Sequence, residues 1–191
     1  MRSISIPQPW AWAVVSGRKN VLNRRSSTRL GPLAIQASQT FDTAGAHYNL
    51  MRQAWALLGM QEFPKVVGPL VRTDPHLPTG VILGVVDVVN VHLVDPLRGC
   101  YVESDVLGWL PLDGSDASEF GWTPRFCSPW CDVPARGAIG AEKPLRHWTL
   151  SDPRLLVEPL PFKGHLRARR LPESIESAVR SRLPLKGARD E

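Results

Sequence analysis

The sequence predicts an α+β fold, a small mixed β-barrel with peripheral helices, on three observations. Its apolar segments are short and rich in β-branched residues, the longest being "GVILGVVDVVNVHLV" at 80–94. One amphipathic helix comes early and another closes the chain. No strand–helix–strand rhythm repeats between them, which argues against a doubly wound parallel sheet.

Taken in order, "SISI" at 3–6 alternates polar and apolar residues with the period of a strand. "PQPWAWAVVSG" at 7–17 reads as a helix, with Pro9 in its first turn and Gly17 in the left-handed position after its end. Trp10, Ala13, Val14 and Gly17 share one face of it, and Trp12 points away. "NVLNRR" and "GPLAIQAS" are the next strands, the latter with Leu33, Ile35 and Ala37 on one side and Ala34, Gln36 and Ser38 on the other. "AHYNLMRQAWALLG" carries a helical stripe of Leu50, Ala54, Leu57 and Leu58 that ends at Gly59. The 80–94 segment is a long strand bent at Gly84, and 95–140, rich in Gly, Pro, Asp and Ser, reads as an extended loop. "RHWTLSD", "LLVEPL" and "GHLRARR" supply the last strands, then "PESIESAVRSRL" a helix and "KGARDE" a polar tail. The expected organisation is one domain over 1–171 with a long insertion at about 95–140, followed by a helix and tail over 172–191.

Composition narrows the class. With 21% charged and 43% hydrophobic residues the 191-residue chain is globular rather than disordered. Its longest apolar run, Val81–Val89, is broken by Gly84 and Asp87, and its first ten residues lack a signal-peptide core, so a cytoplasmic protein without a membrane partner is expected. Charge is unevenly spread. Residues 1–60 hold seven Lys/Arg against Asp42 alone, and "KGHLRARR" at 163–170 adds four cations. Acids concentrate at 95–132, with Asp95, Glu103, Asp105, Asp113, Asp116, Glu119 and Asp132 against Arg98 and Arg125. One-sided basic charge favours polyanionic partners through counterion release.

The three cysteines are Cys100, Cys127 and Cys131. "CSPWC" has three residues between its thiols, no second pair follows, and a metal would have to recruit His147, so the reading favours thiols packed as small hydrophobes. No metal and no cofactor is expected. Nucleophile-elbow, zinc-protease, Walker and dinucleotide fingerprints are absent from the sequence.

Four blocks carry a resemblance: "QPWAWAVVSGRKNVLNR" at 8–24, "GPLAIQAS" at 31–38, "GVILGVVDVV" at 80–89, and "CSPW…HWTLSDPRLLVEPLPFKG" at 127–164. In content and order, from Ile4 to about Pro172, they resemble the ASCH family, a branch of the PUA-like β-barrels. The resemblance implies a PUA-like barrel with a cleft beside the first helix that takes RNA, a nucleotide or a modified base. It also implies relatives of several kinds: amidohydrolases that deacetylate N4-acetylcytidine, ribonucleases, and RNA-binding modules. The family pattern runs Gly-x-Lys-x-x-Glu-x-Arg, which Gly17, Lys19 and Arg24 fit. Its acidic position, a threonine in the amidohydrolase branch, is Leu22 here, and the frequent Ile-His-Ala strand reads Ile35-Gln36-Ala37.

The candidate site follows. Lys19 is a nucleophile or base if desolvated, and a phosphate ligand if it stays protonated. Arg24 offers a planar fork to phosphate or a base edge, or a salt bridge to Asp87. Gln8, at the start of the first helix, Asn23, Ser38 and Ser128 supply hydrogen bonds, or shape turns and caps. Trp130 is a stacking face or barrel packing, while Trp10 reads as core and Trp148 more so. His147 and His165 have no triad-like context. The first expectation is therefore a binding module for RNA or a modified nucleoside or nucleotide. The second is an amidohydrolase on N4-acylated cytidine-type nucleosides or a metal-independent ribonuclease built on Lys19. Leu22 weighs against it, because catalysis needs a poised proton partner; Glu103, Glu119 and Asp87 are the acids that could substitute. The third is a protein-interaction adaptor, which apolar exposure over 172–183 would favour.

Overall fold

The computed structural model describes residues 1–57, 59, 76–105, 108–112, 124–134, 144–165 and 167–184. Leu58, the acids Asp113, Asp116 and Glu119, and the polar tail lie outside the described residues. The fold is α+β and sheet-dominated, with 44% strand and a few short helices, as the sequence predicts. The chain divides into two compact units: Met1–Lys19, Gly31–Asp87 and Ser151–Glu191 in the first, Asn20–Leu30 and Val88–Leu150 in the second.

In the first unit β1 (Arg2–Gln8) lies parallel to β3 (Gly31–Phe41), with Ile4 opposite Ile35 and Ile6 opposite Ala37. The short β8 (Arg169–Arg170) pairs antiparallel with the other edge of β1. β4 (Val81–Asp95) and β7 (Arg146–Pro161) complete the strand order β7-β4-β3-β1-β8. Four helices accompany these strands: α1 (Trp10–Val15), α2 (Thr43–Ala46), α3 (Asn49–Ala56) and α4 (Glu173–Ser181). Leu33 to Ala37 are all buried, so β3 is covered on both faces rather than on one. Ala34 joins Ile82, Val85, Leu156, Leu160, Leu171 and Val179 in a core cluster against which Ile175, Ala178 and Leu183 also pack. The apolar face of α4 is therefore used inside the unit, which removes the exposure that the adaptor reading requires.

Three expectations change in detail. The first helix is shorter than predicted, six residues, although Gly17 ends it at φ +75 as expected. Trp12, not Trp10, is the core tryptophan. It is 7% exposed and packs against Trp55 of α3 with ring centroids 4.7 Å apart, a contact that contributes about 0.5–1.5 kcal/mol beyond its buried area. The buried face of α3 is Met51, Ala54 and Trp55, whereas Leu57 is 70% exposed.

In the second unit β2 (Val21–Arg24) pairs antiparallel with the start of β7, placing Leu22 opposite Trp148 and Asn23 opposite His147. The end of β4 pairs with β5 (Gly99–Ser104), which pairs with β6 (Gly108–Pro111). These two strands lie inside the stretch expected to be loop. Tyr101, Val102, Trp109 and Leu110 are strand-forming residues whose signal is diluted by neighbouring Gly, Pro and Asp. Neither unit's sheet closes on itself among the described residues, so the predicted barrel is at most partial. Also among the described residues, no helix is long and apolar enough to cross a membrane.

Gly84 does not interrupt β4. A Cβ there would stand 2.5 Å from the Arg154 carbonyl oxygen of β7, so glycine permits close strand approach. Gly84→Ala must displace backbone and should lower stability by about 1–3 kcal/mol, read as a reduced urea midpoint with unchanged slope. Glu176 in the first turn of α4 accepts hydrogen bonds from the Met1 ammonium and from Arg180, and both hold its carboxyl below the ordinary range. A depressed carboxylate stabilises the fold above its unfolded value of 4.5, and that contribution disappears as pH falls through the folded value. Glu176→Gln should therefore flatten the acid limb of a stability–pH curve and leave the neutral limb parallel to wild type.

Candidate functional site

The end of α1 sets Lys19. With Gly17 left-handed, the amides of Arg18 and Lys19 both donate to the Ala13 carbonyl at 3.0 and 2.8 Å, which turns the chain sharply and fixes where the lysine leaves it. The Lys19 side chain is 7% exposed, and its Nζ lies 5.4 Å from the ring centroid of Trp10. That ring is itself held from several sides. Its Nε1 donates to Asp42 Oδ2 at 2.7 Å, and Asp42 Oδ1 accepts from the Gly45 amide at 3.1 Å as the cap of α2. A Cβ on Gly45 would meet the indole at 2.8 Å, so α2 can lie against Trp10 only with glycine there. Tyr48, 43% exposed, tilts onto the same ring at a centroid distance of 5.7 Å. An ammonium beside an indole face gains about 0.5–2 kcal/mol, rising as water is excluded. Next to Lys19, the buried Nε of Arg18 has no hydrogen-bond partner among the described residues.

The other first-unit candidates are placed differently. Gln8 is fully buried; its Oε1 accepts from the Trp12 amide at 3.0 Å and its Nε2 donates to the Pro78 carbonyl at 2.9 Å. Its side chain thus answers one amide in the first turn of α1. Gln36 is buried likewise, bonded to Ser5 and to the Phe162 carbonyl. Ser38 shares contacts with Thr40 at 3.3 Å, a local turn arrangement. Asp87, the acid weighed as a partner for Arg24, is held by Arg154 at 3.3 Å.

In the second unit Asn23, Ser128 and Trp130 come together. Asn23 Nδ2 donates to the Trp130 carbonyl at 3.0 Å, and Ser128 Oγ donates to Asn20 Oδ1 at 2.6 Å while accepting from the Trp130 amide at 3.2 Å. Trp130 is only 8% exposed, so it packs rather than offers a broad stacking face. Asn23 Oδ1 is buried without a partner among the described residues. Arg24 is half-buried, and burial pulls its guanidinium below the usual arginine range. It stands directly opposite Arg146 in the β2–β7 ladder, a like-charge pair that an anion would relieve. Leu22 is 3% exposed and Trp148 is 1%, its Nε1 donating to the Ser26 carbonyl, so Leu22 is apolar core.

One grouping extends the Cys127–Cys131–His147 set, which the sequence ranks below plain thiol packing, by adding His92 and Cys100. The donor atoms of His92, Cys100, Cys127 and His147 lie within 4.8 Å of one another. The Cys100 and Cys127 sulfurs approach His147 Nδ1 at 3.4 and 3.5 Å, and Cys131 Sγ lies 3.3 Å from Cys127 Sγ. His147 is fully buried and its Nε2 faces the Asp132 carbonyl at 3.1 Å. Burial alone would disfavour protonation of His147, but hydrogen bonds and charge from Cys100 and Cys131 outweigh it and raise its pKa to about 9. Hydrogen bonds from Cys100 and Cys127 hold Cys131 far below the ordinary thiol range, whereas Cys127 is pushed up by its bonds to Cys100 and Cys131. His92 is 1% exposed with neither ring nitrogen hydrogen-bonded among the described residues, and burial, then the charge of His147, lowers its pKa to about 4. The thiols are therefore polar partners of imidazoles, not plain hydrophobic packing. The sequence does hold one signal for this, a histidine in the middle of an apolar strand, "NVHLV". Asp42 and Tyr48 were also missed, because only folding brings them to Trp10.

In chain arrangement the protein is similar to the crystal structure of ASCH from Zymomonas mobilis. The TM-score is 0.47 at 13% identity, covering 96% of this chain and 95% of that one. A mutant form of the same Zymomonas mobilis protein gives 0.46 at 13% identity, over 96% and 98% of the two chains. No protein-family model and no curated protein matches the chain. The likeness concerns the course of the chain, and the chemistry below rests on this chain's own residues.

Proposed function

We propose that the protein binds RNA or a nucleoside or nucleotide, with the Lys19–Trp10–Tyr48 group as the base- and phosphate-recognising element. The observation that supports it most is the buried Lys19 ammonium against Trp10, with Tyr48 exposed on the same indole. A cation held in a water-poor setting attracts a phosphate or a base carbonyl more strongly than one in solvent, and an exposed ring beside it provides a stacking surface. The unanswered Nε of Arg18 adds a donor seeking an acceptor. In the second unit the opposed Arg24 and Arg146, followed by exposed Arg25 and Arg29, are a further place for backbone phosphates. Binding is favoured over hydrolysis because the side chain three positions after Lys19, where the resemblance implies an acid or threonine, is the buried apolar Leu22.

The test is retention of a mixed RNA pool and of single nucleosides by wild type, Lys19→Met and Tyr48→Ala, across a salt series, with circular dichroism as the folding control. Lys19→Met should weaken RNA retention by roughly 10- to 150-fold, the worth of a charge-assisted hydrogen bond. Tyr48→Ala should lose the ~1–3 kcal/mol of one stacked base. Equal retention by all three proteins would refute the reading. Deacetylation of N4-acetylcytidine or RNA cleavage that disappears in Lys19→Met would replace it with the hydrolase.

A further inference from the structure

We propose that Cys100, Cys127, Cys131 and His147 form a structural binding site for a zinc-class divalent metal ion. This is independent of any nucleic-acid role. The donors arrive from three separate places in the second unit: Cys100 from β5, Cys127 and Cys131 from the 124–134 segment, and His147 from β7.

The distances fit the ion. A tetrahedral zinc with bonds of about 2.3 Å to sulfur and about 2.0–2.1 Å to nitrogen sets its ligand atoms about 3.5–3.8 Å apart. The sulfur–nitrogen separations here are 3.4 and 3.5 Å and the Cys127–Cys131 sulfur separation is 3.3 Å, three separations within a few tenths of an ångström of that geometry. Two details beyond the ligand atoms agree with this. His147 Nε2 is in hydrogen-bond range of the Asp132 carbonyl, an acceptor only, so that nitrogen keeps its proton, and Nδ1, which faces the sulfurs, is the one that gives up its proton to ligate the ion. The Cys127 amide donates to Cys100 Sγ at 3.3 Å, a bond that stabilises a thiolate. The backbone is fixed independently, the Cys100 amide donating to Arg125 at 2.8 Å and the Cys131 amide to Ser128 at 3.2 Å.

The chemistry of the donor set selects the metal. Three thiols and one imidazole are soft to borderline ligands that suit zinc and disfavour magnesium or calcium. Each thiol still protonated releases its proton to solvent as its metal–sulfur bond forms. Four protein ligands leave no open position, so the role is structural: the ion ties the 124–134 segment, with Ser128 and Trp130 on it, to β5 and β7. His92 lies within 4.8 Å of Cys100, Cys127 and His147 but bonds to none of them, which makes it the alternative fourth donor.

The experiment is metal analysis of untagged protein kept reduced, followed by chelator stripping and titration with zinc or cobalt(II). One equivalent per chain is expected, with tetrahedral cobalt bands and a thiolate charge-transfer band. Stripping should lower the melting temperature and zinc should restore it, a readout that survives if the cysteine variants fail to fold. Cys127→Ser, Cys131→Ser and His147→Ala should each weaken binding on the order of 100-fold or more, while His92→Ala keeps the equivalent. Absence of metal uptake by the reduced chain would overturn the site, as would a Cys127–Cys131 disulfide whose reduction yields no metal binding. Loss of metal in His92→Ala with retention in Cys131→Ser would overturn the three-thiolate ligand set.

Discussion

The parallel pairing of β1 with β3 constrains everything between them. Two parallel neighbours need a crossover connection, so the chain that leaves β1 at Gln8 must return to begin β3 at Gly31. α1, the Gly17 turn, Lys19 and β2 all belong to that crossover. The cations of residues 18–29 lie on that connection. Their sequence proximity to a buried strand has this topological cause. Gln8 marks the exit from β1, and its buried amide closes the first turn of the helix that follows.

Burial of Lys19 is the costly feature of that crossover. A long flexible side chain with a full charge is seldom withdrawn from water without compensation. Here the indole of Trp10 faces the ammonium, and Asp42 fixes the indole while capping α2. The arrangement orders the ring before any ligand arrives, which reduces the entropy lost on binding. A catalytic lysine needs something more, a group that exchanges protons with it. The side chain three positions on, Leu22, is committed to the β2–β7 core opposite Trp148. Leu22 therefore cannot be that group.

Strand positions were legible because β-branched runs and left-handed glycines are local signals. Gly17 and the 80–94 run carry their conformations in their own residues. What failed was anything decided by distant partners. On a six-residue helix, Trp10 and Trp12 are equally apolar, and only Trp55, far along the chain on α3, selects Trp12 for the core. The β5–β6 pair was hidden because alternation broken by Gly and Pro carries no helix or strand period. Candidate residues separated for the same reason: Trp130 and Ser128 look surface-like in a turn-rich sequence, yet Asn20 and Asn23 bury their polar atoms. At Gly84 the sequence does not reveal that glycine also admits the neighbouring backbone of Arg154.

The thiol–imidazole cluster shows why spacing rules alone miss such a group. Two cysteines with three residues between them match no familiar pair, and the remaining donors lie on strands β4, β5 and β7. Hydrophobic packing would account for buried thiols but not for a fully buried His147 whose nitrogens face sulfurs on one side and a carbonyl on the other. Nor does it account for His92, which a purely apolar core would exclude, since neither nitrogen is answered. The unanswered nitrogens of His92 are what make it the alternative fourth donor. β2, β5 and β6 are short, and a bound ion would supply cohesion to the loop segment packed beside them.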